Sequence, residues 1–278
     1  MEAGKAAVPM CDKTPPVGRV SFVGAGPGAG DLITVRGARR IGEADVVVWP
    51  ASAIPPEAVR GHATPNAELV DCSRYGHEHM LQLYRRAAAQ RLAMARLVPG
   101  DAALWSGVQR KFEACRRLGL QVEIVPGVSA LAAVLAATGR ELAEPAVVLA
   151  RQDGSGGPAP HGGHDTLAVT TSAARTEALA VALRAAGRPD DTPVLVGYKP
   201  SRPDQLLLAT TLGELAGTVK RHRLWLPALF LIGRAPAAGA RRTAAGAGSG
   251  TVSGWAAGAV RDGLHRRYRR RRTSQRAT

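Results

Sequence analysis

A glycine-rich segment, "VGAGPGAGDL" (23–32), is the first stretch of the chain whose residue types could bind a ligand. An apolar run precedes it and a helix-like run follows it, an arrangement that often cradles the phosphates of a nucleotide. A dinucleotide site also needs an acidic residue at the end of the second strand, but that strand ends in Trp49–Pro50. No Gly–Lys–Ser/Thr sequence follows the loop, which excludes a P-loop. Two interpretations stay open: a tight turn stiffened by Pro27, or a cradle for another ligand.

Two later loops carry similar signals. "PGDAALWSG" (99–107) follows a strand-like run, and "EIVPGVSALAAV" (123–134) interrupts another run at its Pro–Gly pair. Ligands of open α/β sheets bind at the carboxyl ends of the strands, so both loops are well placed for binding. From spacing alone, Asp101 is either a ligand contact or an acid favoured at a helix start. Ser129 is predicted to cap the next helix, whose first amides could also contact a ligand.

The cysteines and histidines form no recognisable catalytic or metal-binding pattern. The three cysteines lie far apart without a CxxC pair, which fits neither a disulfide framework nor a zinc site: Cys11, Cys72 and Cys115. His77 and His79 are two residues apart, so on a helix they do not face the same way. His161 and His164 flank two glycines in a loop. We therefore expect no metal site, and spacing alone indicates no catalytic triad or carboxylate pair.

Alternating strand and helix patterns must position these loops. In the first half, strand-like runs such as "RVSFVG", "DVVVW" and "MARLV" alternate with helix-like runs such as "TVRGARRIGEA", where Thr34 is a predicted N-cap. This alternation predicts a mostly parallel sheet with helices on its faces. In the second half the strand-like runs come closer together, which predicts a mixed sheet. The predicted fold class is therefore α/β, with an N-terminal domain over 19–139 and a C-terminal domain over 140–234.

The two ends of the chain, 1–18 and 235–278, are predicted to be disordered, and the second of them lacks the large apolar residues that would offset its ordering entropy. The 278-residue chain has a formal net charge of +15, of which +9 falls in 235–278. The modestly basic remainder suits an anionic ligand. The run "RRYRRRR" (266–272) fits nucleic-acid binding or a solvated tail, and the solvated tail is favoured.

No apolar run approaches the ~18 residues that cross a bilayer, and no signal-peptide core is visible, so the predicted location is the cytoplasm.

Four segments in one order resemble the tetrapyrrole methylases, enzymes of the cobalamin and siroheme pathways that use S-adenosylmethionine. They are "VGAGPGAGDLITVRG", "PGDAALWSG", "EIVPGVSALAA" and "DDTPVLVGYKPSRPDQ", and the resemblance covers about residues 19–234. It implies two α/β domains with the cofactor between them, usually in a homodimer. The segments are most similar to those of members that act on precorrin-4. The implied reaction is therefore methylation of an anionic tetrapyrrole, precorrin-4 or cobalt-precorrin-4, at C-11 to give the corresponding precorrin-5.

The resemblance also implies which residues bind the cofactor and the substrate. The implied cofactor-binding positions are Pro27, Pro99, Gly100, Asp101, Leu104, Ser129, Ala130, Thr171 and Pro200. The implied substrate-binding positions are Gly26, Pro27, Gly28 and Lys199. No residue is assigned a catalytic role, because a sulfonium methyl is already activated. Most of the catalysis is then expected from holding the two reactants in line, about 3 Å apart.

The sequence departs from the family's pattern at several positions. Ala102 stands where the family usually has proline, Thr171 where it has a bulky apolar residue, and Pro200 where it has a small flexible one. The stretch that begins at Glu141 is several residues shorter than the family norm, and the loop there normally helps to wall the tetrapyrrole. Two alternatives stay open: a sibling methylase acting on another precorrin or on uroporphyrinogen, and a catalytically impaired or RNA-binding relative.

Overall fold

The computed structural model describes residues 17–104, 107–139, 141–142, 146–150 and 166–233. The tail over 235–278 and nearly all of the N-terminal stretch lie outside these residues, so their disorder stays a prediction. The described residues form two five-stranded sheets with helices packed on them. No helix within the described ranges is long and apolar enough to span a membrane.

The first sheet is wholly parallel, which confirms the prediction from the alternating pattern. Its strands are β1 (Arg19–Gly24), β2 (Val46–Trp49), β3 (Glu68–Asp71), β4 (Ala93–Val98) and β5 (Gln121–Val125). They stand in the order β3-β2-β4-β1-β5. All four residues of β2, Val46–Trp49, are apolar and buried. Such a continuous apolar run is typical of a strand whose two faces are both covered. Because the five strands run the same way, their carboxyl ends meet at one edge of the sheet.

Five helices follow these strands. They are α1 (Val35–Gly42), α2 (Pro56–Arg60), α3 (His77–Ala89), α4 (Val108–Arg117) and α5 (Ala130–Thr138). One apolar core lies under α3 and α4, and another lies under α1 and α2. Thr34 caps α1 as predicted, because its Oγ1 accepts a hydrogen bond from the amide of Gly37 at 3.1 Å. The same hydroxyl donates to the carbonyl of Pro126 at 3.3 Å, which ties the start of α1 to the loop after β5.

The second sheet is mixed, as the closely spaced strands predict. Its strands are β6 (Ala146–Ala150), β7 (Thr166–Ser172), β8 (Pro193–Tyr198), β9 (Leu206–Thr211) and β10 (Pro227–Ile232). In the order β6-β7-β10-β8-β9, the first pair is parallel and the other three pairs are antiparallel. Helices α6 (Thr176–Ala185) and α7 (Leu215–Arg221) pack against one face through an apolar core.

Helix α5 packs against the opposite face of the second sheet. Its Val134 is fully buried and shares a core with Leu195 and Leu229. Gly197 of β8 makes room for this contact, since a Cβ atom there would lie 2.4 Å from Cγ2 of Val134. The sequence-based division places α5 in the N-terminal domain, and the boundary at residue 140 stays a prediction.

Candidate active site

The carboxyl ends of β1, β4 and β5 lead to three glycines in mutual contact. A Cβ atom on Gly127 would lie 2.5 Å from the carbonyl oxygen of Gly100 and 2.6 Å from that of Gly24. Such distances are shorter than real Cβ contacts, so a larger residue at Gly127 would force the main chain apart. The three loops that stand out in the sequence are therefore in main-chain contact.

An isolated antiparallel bridge joins the loop after β1 to the loop after β4. The amide of Gly26 donates to the carbonyl of Gly100 at 3.1 Å, and the amide of Gly100 donates to the carbonyl of Gly26 at 2.7 Å. Both residues have positive φ angles, 73° and 70°, which glycine adopts without the steric penalty of a side chain. The bridge fixes the main chain directly before Pro27.

The carboxylate of Asp101 binds backbone amides of two loops. Its Oδ1 accepts hydrogen bonds from the amides of Ala103 at 2.6 Å and Leu104 at 3.3 Å. Its Oδ2 accepts a hydrogen bond from the amide of Gly127 at 3.0 Å. The sequence leaves open whether Asp101 contacts a ligand or favours a helix start. In the structure, its carboxylate ties the loop after β4 to the loop after β5.

Ser129 connects this edge of the sheet to α5. Its Oγ accepts a hydrogen bond from the amide of Ala132 at 3.2 Å, which confirms the predicted N-cap. The cap satisfies one of the amides that the first turn of a helix leaves without a partner. The start of α5 is thereby fixed beside the Gly127 turn.

The loop between β8 and β9 contacts the glycine-rich loop. Oγ of Ser201 accepts a hydrogen bond from the amide of Ala29 at 3.0 Å. The side chain of Arg202 fills the space next to Gly28, where a Cβ atom would lie 2.6 Å from its Cγ. Lys199 and Ser201 have positive φ angles of 49° and 64°, which are unfavourable for residues other than glycine. Such strained residues concentrate at ligand-binding sites.

Asp204 in the same loop pairs with two cationic side chains. It contacts Nζ of Lys199, and its Oδ1 lies 3.3 Å from Nε of Arg202. The hydrogen bond from Lys199, helped by the charge of Arg202, lowers the pKa of Asp204 below its ordinary value. The carboxylate is therefore ionised at neutral pH and orients both cations.

These loops border a cleft that encloses about 1030 Å³, part of it open to solvent. Its apolar lining includes Leu104, Leu131, Leu226 and Leu229, and its charged or hydroxyl-bearing lining includes Ser52, Asp101, Ser129, Thr170, Lys199 and Arg202. Leu104 is 53% exposed, so it offers apolar surface that a ligand would cover. The cleft thus combines an apolar wall with two cations on one loop.

The cleft brings together ten of the twelve residues that the sequence assigns to binding. They are Gly26, Pro27, Pro99, Gly100, Asp101, Leu104, Ser129, Ala130, Lys199 and Pro200. Two assigned residues are not on its lining. Gly28 packs against the side chain of Arg202. Thr171 is replaced on the lining by Thr170, because the side chains of neighbouring strand residues point to opposite faces of the sheet. The binding roles themselves stay predictions.

Sequence reasoning missed several residues that line the cleft. Arg202 lies within the quoted segment "SRPDQ", so the motif itself was the signal that could have found it. Residues 226–229 enter the cleft at the start of β10, where the sequence carries no motif. They reach it because β10 pairs with β7 and β8 in the middle of the second sheet, a topology that a single sequence does not specify.

The fold matches that of known α/β methyltransferases. Residues 19–216 match the family described as tetrapyrrole (corrin/porphyrin) methylases. The chain belongs to this family, whose members are S-adenosylmethionine-dependent methyltransferases.

Three relatives illustrate the similarity. A precorrin-4 C(11)-methyltransferase from a Sinorhizobium species is 35% identical over 77% of this chain and 88% of its own length. The crystal structure of a cobalt precorrin-4 methyltransferase aligns with a TM-score of 0.67 and 28% identity, covering 77% of this chain and 94% of that one. A uroporphyrin-III C-methyltransferase from Thermus thermophilus, crystallised with S-adenosylhomocysteine, aligns with a TM-score of 0.61 and 30% identity, covering 78% of this chain and 92% of that one.

Proposed function

We propose that this protein transfers the methyl group of S-adenosylmethionine to C-11 of precorrin-4, giving precorrin-5. The observation that carries the proposal is the match to a precorrin-4 C(11)-methyltransferase across 88% of that relative's length. The family match, over residues 19–216, includes the glycine-rich loop, the Asp101 loop and the Gly127 turn that border the cleft. The metal-free and cobalt-bound forms of the substrate are both compatible with this proposal.

The cleft has the chemistry that S-adenosylmethionine requires. Its leucines offer an apolar wall, while main-chain groups at the Pro99–Asp101 turn and at Ser129–Ala130 offer polar contacts. A Cβ atom on Gly100 would lie 3.7 Å from the amide nitrogen of Ala130, so the glycine leaves that stretch of main chain uncovered. When bound, the cofactor supplies a methyl group on a positively charged sulfur, which is electrophilic without further activation.

The residues of the chain would then act mainly by positioning. Asp101 is a carboxylate on the cleft lining, but both of its oxygens accept hydrogen bonds from backbone amides. It therefore maintains the shape of the cleft and is not proposed as a general base. Holding two reactants in line can account for a large part of a rate enhancement. The rigid contacts among the three glycine-containing loops provide such a fixed frame.

Lys199 and Arg202 are proposed to bind the carboxylates of the tetrapyrrole. Both line the cleft, and both are oriented by Asp204. A guanidinium and an ammonium group form charge-assisted hydrogen bonds with carboxylates. The loop between β8 and β9 would thereby hold the substrate, while the loops of the first sheet hold the cofactor.

The direct test is incubation of the purified protein with S-adenosylmethionine and precorrin-4, followed by NMR assignment of the new methyl group. Methylation at C-11 is the expected result. Methylation at another carbon would instead identify a sibling methylase of the same family. If a relative that methylates precorrin-4 is active in the same mixture and this protein is not, the proposed activity is wrong.

The homodimer and the cytoplasmic location are also proposed on the resemblance to the family. Sedimentation of the purified protein tests the first, and fractionation of the source cells tests the second. RNA binding by the arginine-rich tail is the less favoured alternative. A salt-sensitive gel shift that disappears on removal of residues 261–278 would support it.

A further inference from the structure

The loop after β2, residues 50–55, reaches the cleft, where Ser52 and Ala53 lie on the lining. Neither residue belongs to the proposed contacts with the cofactor or the substrate. Ser52 is exposed, and its amide donates a hydrogen bond to Oγ of Ser73. Its hydroxyl makes no hydrogen bond within the part of the chain that the structure describes. The hydroxyl is therefore available to a ligand in the cleft.

The carboxylate of Asp71, at the end of the neighbouring strand β3, holds this loop in place. Its Oδ1 accepts a hydrogen bond from the amide of Ala51 at 3.0 Å. The same oxygen accepts hydrogen bonds from the hydroxyl of Ser73 at 2.6 Å and from its amide at 2.9 Å. Oγ of Ser73 in turn accepts the hydrogen bond from the amide of Ser52 at 3.0 Å. Two successive amides of the loop after β2 are thus bound by side chains that follow β3.

The charge of Asp71 strengthens both connections. Burial raises the pKa of Asp71, but hydrogen bonds from Ser73 and from the amide of Ala51 outweigh burial and hold the pKa below its ordinary value. Hydrogen bonds to an ionised acceptor are stronger than those between neutral groups. A hydroxyl has one proton, so the bond to Asp71 also leaves Oγ of Ser73 free to accept from the loop. Removal of the carboxylate would therefore loosen both amides.

The segment that follows this loop packs on the glycine-rich loop. A Cβ atom on Gly30 would lie 3.4 Å from Cα of Ala58 in α2. A ring nitrogen of His62, just after α2, lies 3.2 Å from the carbonyl oxygen of Gly30. The glycine-rich loop also contacts the loop between β8 and β9, through the hydrogen bond from Ala29 to Ser201. The loop after β2 is therefore connected to the side of the cleft whose two cations are proposed to bind the substrate.

We propose that Asp71 is a positioning residue for tetrapyrrole binding, acting through the loop after β2. It fixes this loop so that the hydroxyl of Ser52 donates a hydrogen bond to a carboxylate of the substrate. The cofactor does not depend on this contact, because its proposed partners in the first sheet follow β1, β4 and β5. The inference rests on the proposed function, since it takes the tetrapyrrole as the occupant of this part of the cleft.

The test is titration of the full-length protein with precorrin-4 in the absence of cofactor, and separately with S-adenosylmethionine. Ser52→Ala should raise the Kd for precorrin-4 about tenfold, because it removes a hydrogen bond to a charged group. Asp71→Ala should raise it by a similar factor. The double variant should bind no more weakly than Asp71→Ala alone, because both changes remove the same contact. The Kd for S-adenosylmethionine should stay unchanged in all three variants.

Asp45→Ala is the matched control for loss of a carboxylate that joins two segments of the first sheet. Oδ2 of Asp45 accepts a hydrogen bond from the amide of Ala93 at 2.7 Å, at the start of β4 and outside the cleft. This variant should lower the stability of the fold, as Asp71→Ala does, but leave the Kd for precorrin-4 unchanged. Urea unfolding of both variants compares the structural losses, so an effect on binding alone is distinguished from general damage.

The proposal is overturned by a wild type that does not bind precorrin-4, or by a Ser52→Ala protein that binds it as tightly as the wild type. Additive effects in the double variant, or an equal loss in Asp45→Ala, also overturn it. The titration involves no methyl transfer, so its outcome is separate from that of the activity assay. Methylation at C-11 with unchanged binding in the variants refutes this inference alone. Weakened binding in the variants of a protein that does not methylate C-11 refutes the proposed activity alone.

Discussion

The carboxylate of Asp101 accepts a hydrogen bond at 3.0 Å from the amide of Gly127, 26 residues further along the chain. This contact joins the loop after β4 to the loop after β5 at the point where the cleft begins. Hydrogen bonds to an ionised acceptor are stronger than those between neutral groups. The relative position of the two loops therefore depends on one side chain, and that dependence can be measured.

Asp101→Asn should lower the free energy of unfolding by about 2 kcal/mol, because an amide group accepts fewer hydrogen bonds and carries no charge. It should also weaken binding of S-adenosylmethionine, since the loops after β4 and β5 lose their connection. Urea unfolding and calorimetry measure the two effects. Asp191→Asn, at an exposed position outside the cleft, is the matched control. Equal behaviour of the two variants would contradict the connecting role of Asp101.

Gly127→Ala should destabilise the fold by about 3 kcal/mol, because the new methyl group would meet two carbonyl oxygens within 2.6 Å. Gly217→Ala provides a control of opposite sign. Nothing lies within 4 Å of a Cβ atom there, and alanine in the helix should stabilise the protein by about 0.5–1 kcal/mol. Thermal unfolding of both variants checks this prediction. A Gly127→Ala protein with wild-type stability would mean that the three loops separate easily.

Arg202→Met should raise KM for the tetrapyrrole about tenfold by removing a charged partner of a carboxylate. The methionine keeps an aliphatic stem against Gly28, so the loop contact should persist. The Kd for S-adenosylmethionine should not change, which distinguishes loss of a substrate contact from general damage. Arg116→Met, on the exposed side of α4, should change neither value. A parallel loss of cofactor and substrate binding would count against the assignment of Arg202.

The pairing of Asp204 with Lys199 should make the stability of the protein depend on pH in the acid range. The pKa of Asp204 is lowered from its ordinary value of 3.8 on folding, so its ionised form stabilises the fold above that pH. The contribution is lost as the pH falls through the lower pKa of the folded state. The stability difference between wild type and Asp204→Asn should therefore be constant near neutral pH and shrink below pH 3.8. Urea unfolding across this range measures it, and a difference that stays constant would refute the pairing.

Much of the fold was predictable because it depends on patterns among residues that are near one another in the sequence. The regular spacing of apolar runs predicts a parallel sheet followed by a mixed one. Thr34 and Ser129 are residue types that favour the N-cap position, so each of them predicts the start of a helix. The loops of the cleft were also predictable, since motifs mark the carboxyl ends of β1, β4 and β5. The residues of these loops lie close together because the carboxyl ends of parallel strands meet at one edge of the sheet.

The remainder depends on contacts between residues far apart in the chain. The partner of Asp101 follows only from the close packing of three glycines, and spacing does not reveal it. Thr170 lines the cleft and Thr171 does not, because of the register of β7 in the second sheet. An error of one residue in that register would move a side chain to the opposite face of the sheet. The burial of Arg96 also escaped prediction, because a single arginine in an apolar run gives no sign of its surroundings.

Because Gly24, Gly100 and Gly127 are in contact, amino-acid substitution affects one part of the cleft less than the other. Where the loops meet, the cleft is built from main chain, and its hydrogen-bonding groups are the same whatever side chains lie nearby. Replacement of a neighbouring side chain, such as that of the buried Ala102, leaves those main-chain groups in place. The rim, with its leucines and its Lys199 and Arg202, consists of side chains that substitution can alter one at a time. Such a division lets a family keep one methyl donor while its members diverge in the ring carbon that they methylate.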